Sequence, residues 1–308
     1  MKPIVQPSSS FFAPAVRRAG SRLLLALSVL ALPLVAAAAS DPMPGAYVAA
    51  PVGTRVLSFL LLEREVDGPY VKGVRLGTGK MVGRAAAVGL TLYDRIGDMT
   101  AAWSVLQPYI EAHRTEGRFP MGYGEPIAGP ADLRLGLTVW PVNDPDGGQW
   151  LGVGVTVMPP SGQYDGKRLL NPGDDRWKAV LALGWVRRLS ADWSVELVPE
   201  VSFYETNDNY YGGRRMEQQT AYGVTGYLRW KFAAGWESQV GVQENRGGGQ
   251  TVNGRPLNNA PENQRVFLGL SHALARNVSV GLRYSSDTRL QGDLRNVSEW
   301  SARMSVAF

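Results

Sequence analysis

The sequence predicts an all-β protein: a transmembrane antiparallel β-barrel of about 12 strands in meander order. Three observations predict it. The chain closes on an amphipathic strand with a terminal aromatic residue, period-2 alternation recurs along its length, and its connections alternate between short and long. In the final stretch, Trp300, Ala302, Met304, Val306 and Phe308 share one face of an extended strand, while Ser301, Arg303, Ser305 and Ala307 share the other. A soluble sheet can also carry one such strand. The rest of the chain decides between the two settings.

Alternation divides the chain into twelve candidate strands, near 54–65, 83–94, 99–113, 131–142, 149–158, 176–188, 192–205, 218–232, 235–245, 263–273, 277–286 and 297–308. Four show the pattern plainly. Leu133, Leu135, Leu137 and Val139 oppose Arg134, Gly136 and Thr138. Trp193, Val195, Leu197, Val201 and Phe203 oppose Ser194, Glu196, Val198, Glu200, Ser202 and Tyr204. Tyr222, Val224, Leu228, Trp230 and Phe232 oppose Gly223, Thr225, Tyr227, Arg229 and Lys231. Val278, Val280, Leu282 and Tyr284 oppose Ser279, Gly281, Arg283 and Ser285.

Short connections fall near 96–98, 143–147, 190–191, 233–234 and 275–276. Long ones fall near 66–82, 114–130, 159–175, 206–217, 246–262 and 287–296. Strict alternation places tight turns at one end and loops at the other, as in outer-membrane barrels, with both termini on the periplasmic side. Trp103, Trp150, Trp177, Trp185, Trp193, Trp230, Trp236 and Trp300 fall mostly near strand ends, where an amphipathic ring can sit at the lipid–headgroup boundary.

Residues 1–40 read as a secretory signal peptide, leaving 41–308 as one barrel domain. Lys2, Arg17, Arg18 and Arg22 supply the positive charge, 23–35 is apolar, and the small residues at 36–40 offer cleavage sites. The apolar stretch is shorter than the roughly 20 residues of a membrane-spanning helix. Removing the four basic residues takes the formal net charge from +5 to +1, which leaves no basic patch for nucleic acid. Cysteine is absent, so disulfides and thiolate chemistry are excluded. Mean hydropathy is slightly negative, as expected of a barrel with a wet interior rather than a helical membrane protein.

Inward-facing candidates are Arg134, Glu196, Glu200, Tyr227, Arg229, Lys231, Glu237, Gln239, Arg283, Glu299 and Arg303. Both signs occur among them, which predicts a lumen braced by salt bridges. Residues 41–53, with Pro42, Pro44, Gly45, Pro51 and Gly53, are too irregular for a strand; they either fold inward as a plug or hang as a periplasmic tail. In loops, Pro159 and Pro160 end a strand, Gly162 permits the turn that follows, and Tyr164, Tyr204, Tyr210 and Tyr211 offer aromatic surface to a solute.

Catalysis finds little support. A lipid hydrolase of this architecture needs His and Ser together on one face. Ser271 and His272 are adjacent and point to opposite faces, and His113 has no Ser two residues away. The Asp144-Pro-Asp146 turn lacks the ligand count of a calcium loop. No cofactor and no metal are expected.

Gly152-Val-Gly-Val-Thr-Val-Met-Pro-Pro-Ser-Gly162-Gln-Tyr164, followed by Asn171-Pro-Gly173 and Asn207-Asp-Asn-Tyr-Tyr211-Gly-Gly213, resembles the outer-membrane transporter family of the MetA pathway of phenol degradation, whose barrels are FadL-like in function. Arg265-Val-Phe-Leu-Gly-Leu270 and the last strand are similar to that family's final segments. Pro160-Ser161 stands where the family carries Pro-Thr, and Gly269-Leu270 where Gly-Pro is expected. The resemblance implies passive uptake of small hydrophobic or aromatic compounds across the cell outer membrane. The alternatives are a structural or adhesive barrel and a lipid hydrolase. Expected partners are the outer-membrane lipid bilayer, the barrel-assembly machinery through the C-terminal Phe308, and a small-molecule solute.

Overall fold

The computed structural model describes residues 42–119 and 125–308; the leader expected at 1–40 lies outside them. Twelve antiparallel strands form the wall: β1 (Arg55–Val71), β2 (Lys80–Ile96), β3 (Met99–Glu116), β4 (Arg134–Asp144), β5 (Gln149–Met158), β6 (Lys178–Arg188), β7 (Trp193–Tyr204), β8 (Ala221–Ala233), β9 (Trp236–Gly247), β10 (Asn263–Ala275), β11 (Val278–Leu290) and β12 (Asp293–Ala307). Each pairs with its sequence neighbours, and β12 pairs with β1 from Val56↔Ala307 to Tyr70↔Asp293, so no edge is left. Backbone bonds from Arg55 N–H to Phe308 O (3.0 Å) and Phe308 N–H to Arg55 O (2.9 Å) finish the seam. The terminal aromatic is thus part of the closing ladder.

All twelve expected strands are present. At the first short turn Ile96 pairs Met99, and Gly97 at φ +60° supplies the left-handed residue a two-residue hairpin needs. Several stretches read as long loops carry strand: the first two wall strands run into 66–82, and short strands lie within 114–130, 206–217 and 246–262. The stretch read as a long loop at 287–296 is mostly strand, because β11 runs to Leu290 and β12 begins at Asp293. The β11–β12 ladder nevertheless stops at Ser285↔Glu299. Beyond it each strand pairs with its outer neighbour only, β11 with β10 and β12 with β1.

Strand lengths are uneven. β1 to β3 have 17, 17 and 18 residues, whereas β4 to β7 have 10 to 12. A tilted strand crosses a bilayer with about 9–11 residues, so the first three stand well clear of lipid on the loop side. Their outward face confirms where the apolar band ends. Leu61, Val88 and Tyr109 are exposed apolar residues, and the next outward positions are ion-paired: Arg84 with Glu63 (2.8 Å) and Glu111 (3.7 Å), then Lys80 with Glu65 (3.7 Å) and Glu116 (3.3 Å).

Elsewhere the outer face is apolar, with Leu181, Leu197, Val224, Val240, Leu268, Leu282 and Met304 all exposed. At the turn end an aromatic row runs along it: Trp193 stacks on Trp230 (5.5 Å), Trp230 meets Phe232 (5.5 Å), Phe232 meets Trp236 (6.3 Å), and Trp236 stacks on His272 (4.1 Å). This is an interfacial girdle. Trp150 does not belong to it, contrary to expectation. It shares the inward face with Gly152 and Gly154, is 6 % exposed, and packs in the bore with Trp140. Trp300 is lipid-facing but lies mid-strand against Tyr284 (5.0 Å).

Candidate functional site: a bore closed at both ends

Of the stretch read as plug or tail at 41–53, residues 42–50 fold into the turn end of the barrel, and Pro51, Val52 and Gly53 stay exposed at its mouth. Tyr47 rests against Gly152, Gly154 and Gly184; a Cβ at 184 would overlap its ring. Inward-facing glycines on β5 and β6 therefore carve the seat, a device that costs strand stability and is found where something must approach the backbone closely. Trp140 Nε1–H donates to Tyr47 O (2.9 Å), and Gly45 N–H donates to both carboxylate oxygens of Glu196 (2.9 and 3.0 Å). Tyr227 O–H donates to Pro42 O (2.9 Å). Tyr47 packs with Ala102, Trp140, Trp150, Ala182, Val186 and Val198.

Most inward-facing residues read from the sequence fall into two networks. Near the plug, Arg229 bridges Glu196 (2.5 Å) and Glu237 (2.8 Å). Higher in the bore, Glu299 accepts from Arg64 Nε (2.5 Å), lies 3.7 Å from Arg283, and accepts from Ser285 Oγ (3.3 Å). Arg283 Nη1 donates to Tyr227 OH (3.3 Å) and its guanidinium lies 4.9 Å from the Phe267 ring centre. Tyr227 thus ties the plug to the central network. Glu200 and Gln239 are buried in the bore wall. Arg134 lies at the outer end, among the cations that act on Asp174. Lys231 is exposed at the turn-end mouth, and Arg303 is half-buried above it.

Sequence reasoning missed Arg64, Arg265, Asp287, Asn263 and Asn296. Arg265 Nε donates to Asp287 Oδ1 (2.8 Å), which also accepts from Asn263 Nδ2 (3.2 Å), while Asn296 N–H donates to Asp287 Oδ2 (2.8 Å). Asp287 and Asn296 fall in a stretch that reads as a loop, where pleat parity carries no information. Arg265 was legible: it alternates inward with Asn263 and Phe267 on a strand already recognised.

At the loop end, two hairpins make a four-stranded lid in the order 207–210, 214–218, 250–252, 255–256. Its apolar underside, Tyr210, Met216, Val252 and Leu257, meets Leu169, Val71, Leu76 and Leu294. Those residues come from opposite sides of the wall, so the cluster spans the mouth. Tyr210 is buried there, and Tyr164 O–H donates to Asn209 O (3.3 Å) while accepting from Asn207 Nδ2 (3.0 Å). Burial pushes the Tyr164 hydroxyl up to about 12. These two tyrosines brace the lid rather than present themselves to solvent.

The loop at 159–177 holds the lid down. Gly162 and Gly173 pack backbone to backbone, with no room for a Cβ on either, and Asp132 accepts from Gly162 N–H (2.9 Å) and Asp174 N–H (3.1 Å). Gly162 therefore serves close packing, not a left-handed turn, and brings together two of the short motifs quoted above. Lys178 lies 2.6 Å from Asp174 and 3.4 Å from Asp132. Burial alone would raise the Asp174 carboxyl, yet Lys178, Arg176 and Arg134 hold it below the usual carboxylate range.

The family model described as "Putative MetA-pathway of phenol degradation" matches residues 67–295, well over half of the chain. The chain belongs to this family. Among solved structures, this MetA-pathway barrel is similar to the COG4313 outer membrane channel from Pseudomonas putida F1, at TM-score 0.82 and 22% identity over 87% of this chain and 100% of that one. It is also similar to the β-domain of the Bordetella autotransporter BrkA, at TM-score 0.50 and 16% identity over 83% and 100%. Both likenesses fix the fold as that of outer-membrane barrels. No curated protein matches the chain. His272 Nδ1 lies 3.1 Å from Gly235 O on the lipid-facing girdle, His113 is exposed, and Ser271 turns inward toward Glu237 O (3.5 Å). Among the described residues no group of three His, Asp or Glu could hold a metal ion.

Proposed function

We propose that this protein is a passive outer-membrane channel for small hydrophobic or aromatic molecules, reaching that membrane after removal of its leader. The observation that carries the reading is the plug. The turn end of the bore is stopped by a separate segment of the chain seated on bare glycine backbone, whereas its middle is crossed by ion pairs between wall side chains. A barrel with no path to control has no physical need of a separate stopper at its mouth. The family's description and the name of the COG4313 channel support the same reading by analogy. The lipid bilayer surrounds the apolar belt, the Phe308 strand end is the handle for the assembly machinery, and transport involves no chemical step. The test is permeation into liposomes carrying the purified barrel. Phenol is expected to enter faster than a polar solute of equal size. If a barrel of native heat-modifiable gel mobility passes neither, the structural or adhesive alternative takes its place.

A further inference from the structure

The bore's paired cations each stand beside a carboxylate: Arg64 and Arg283 at Glu299, Arg229 at Glu196 and Glu237, Arg265 at Asp287, Lys178 at Asp132 and Asp174. Arg303 differs. Its Nε donates to Ser305 Oγ (2.9 Å) and its Nη2 to Ser58 Oγ (3.5 Å), and among the described residues no carboxylate pairs with it. A guanidinium has five donors, so two serines leave most of its capacity unused in a half-buried place. Arg303 lines a cavity of about 640 Å³ that opens at the turn end beneath the plug. Lys231 and Arg276 line it too, again with no ion pair among the described residues. The acid there, Glu237, has both oxygens occupied by Arg229, at 2.8 and 3.0 Å. The chamber therefore carries uncompensated positive charge, while Met43, Pro44 and Val56 give it apolar wall.

We propose that this vestibule binds a small organic monocarboxylate, its carboxylate on Arg303 and its apolar body against the plug. The proposal rests on the channel reading and adds a solute class to it: a molecule that has lost a proton is concentrated at the exit, and a neutral one is not. The test is calorimetric titration of the purified barrel in detergent with benzoate, the neutral benzyl alcohol, and inorganic phosphate. Benzoate is expected to bind at least about tenfold more tightly than benzyl alcohol, and Arg303→Gln to remove about tenfold of that affinity without changing benzyl alcohol binding. Heat-modifiable mobility checks that the variant is folded. Equal binding of benzoate and benzyl alcohol, or full affinity in Arg303→Gln, overturns the site. Phosphate binding as tight as benzoate overturns the carboxylate assignment in favour of a general anion site. A barrel that passes phenol but does not bind benzoate loses this site and keeps the channel, whereas one that binds benzoate and passes nothing loses the channel and keeps the site.

Discussion

At the turn end of the barrel a single segment, residues 42–50, enters the bore and rests one aromatic ring on three glycines, held by a carboxylate and two side-chain bonds to its carbonyls. At the loop end, two hairpins and a Pro-Gly-rich loop weave a sheet whose apolar underside spans the mouth. The plug is one strip of chain held by one buried ring and a few hydrogen bonds, with no strand ladder of its own. The lid is a small folded layer whose pieces support one another. Segments with few buried contacts open at low free energy, so the plug is the part suited to move and the lid the part suited to stay.

The sharpest way to break that comparison is to unseat the ring. Tyr47→Ala should cost the plug about 3–5 kcal/mol of seating, the range for deleting a buried aromatic. Hydrogen-exchange protection at residues 45–49 and single-channel conductance are the readouts. Protection should collapse and conductance rise while protection at 207–218 holds. If both ends lose protection together, plug and lid form one cooperative unit and the contrast is wrong.

A smaller effect is expected from Glu196→Gln, which removes the charge that holds Gly45 N–H and one of the two carboxylates on Arg229. Hydrogen bonds to charged groups contribute roughly 1.5–3 kcal/mol, so protection at residues 45–49 should fall by less than in Tyr47→Ala. Loss equal to that of the tyrosine variant would mean that the anchor, not the glycine seat, holds the segment.

The smallest effect belongs to the lid latch and depends on pH. The Asp174 carboxyl sits below its unfolded value of about 4, so its ion pair stabilises the loop at every pH above that and is lost as pH falls below it. Asp174→Asn should reproduce the acid state at neutral pH. Tryptic cleavage after Lys167 and Arg168 in the native barrel should quicken modestly, since Asp132 still pairs Lys178. Faster cleavage with simultaneous loss of protection at residues 45–49 would again join the two ends.

The aromatic girdle and the inward ion pairs could be located in advance because pleat parity is local: once Trp230 faces lipid, Arg229 and Lys231 face the bore. Asp287 and Asn296 fall in a stretch that reads as a loop, where parity carries no information, whereas Arg64 lies on a recognised strand beside Glu63 and Glu65, whose charges blur the alternation of greasy and polar residues. Trp150 was misplaced since an aromatic at a strand end looks the same in either orientation, and only the neighbouring glycines distinguish them. Tyr164 and Tyr210 read as exposed loop residues, because the lid that buries them is assembled from loops far apart in the chain.

The amino-acid order by itself determined the twelve strands, their meander and the end at which the first strand begins and the last one finishes, since a two-residue repeat and turn chemistry act between neighbours. It left open whether residues 41–53 enter the bore. Tertiary structure settled that for residues 42–50: the seat for Tyr47 consists of side chains that are missing, at Gly152, Gly154 and Gly184, and an empty place is recognisable only when the wall stands beside a segment about a hundred residues away in the chain.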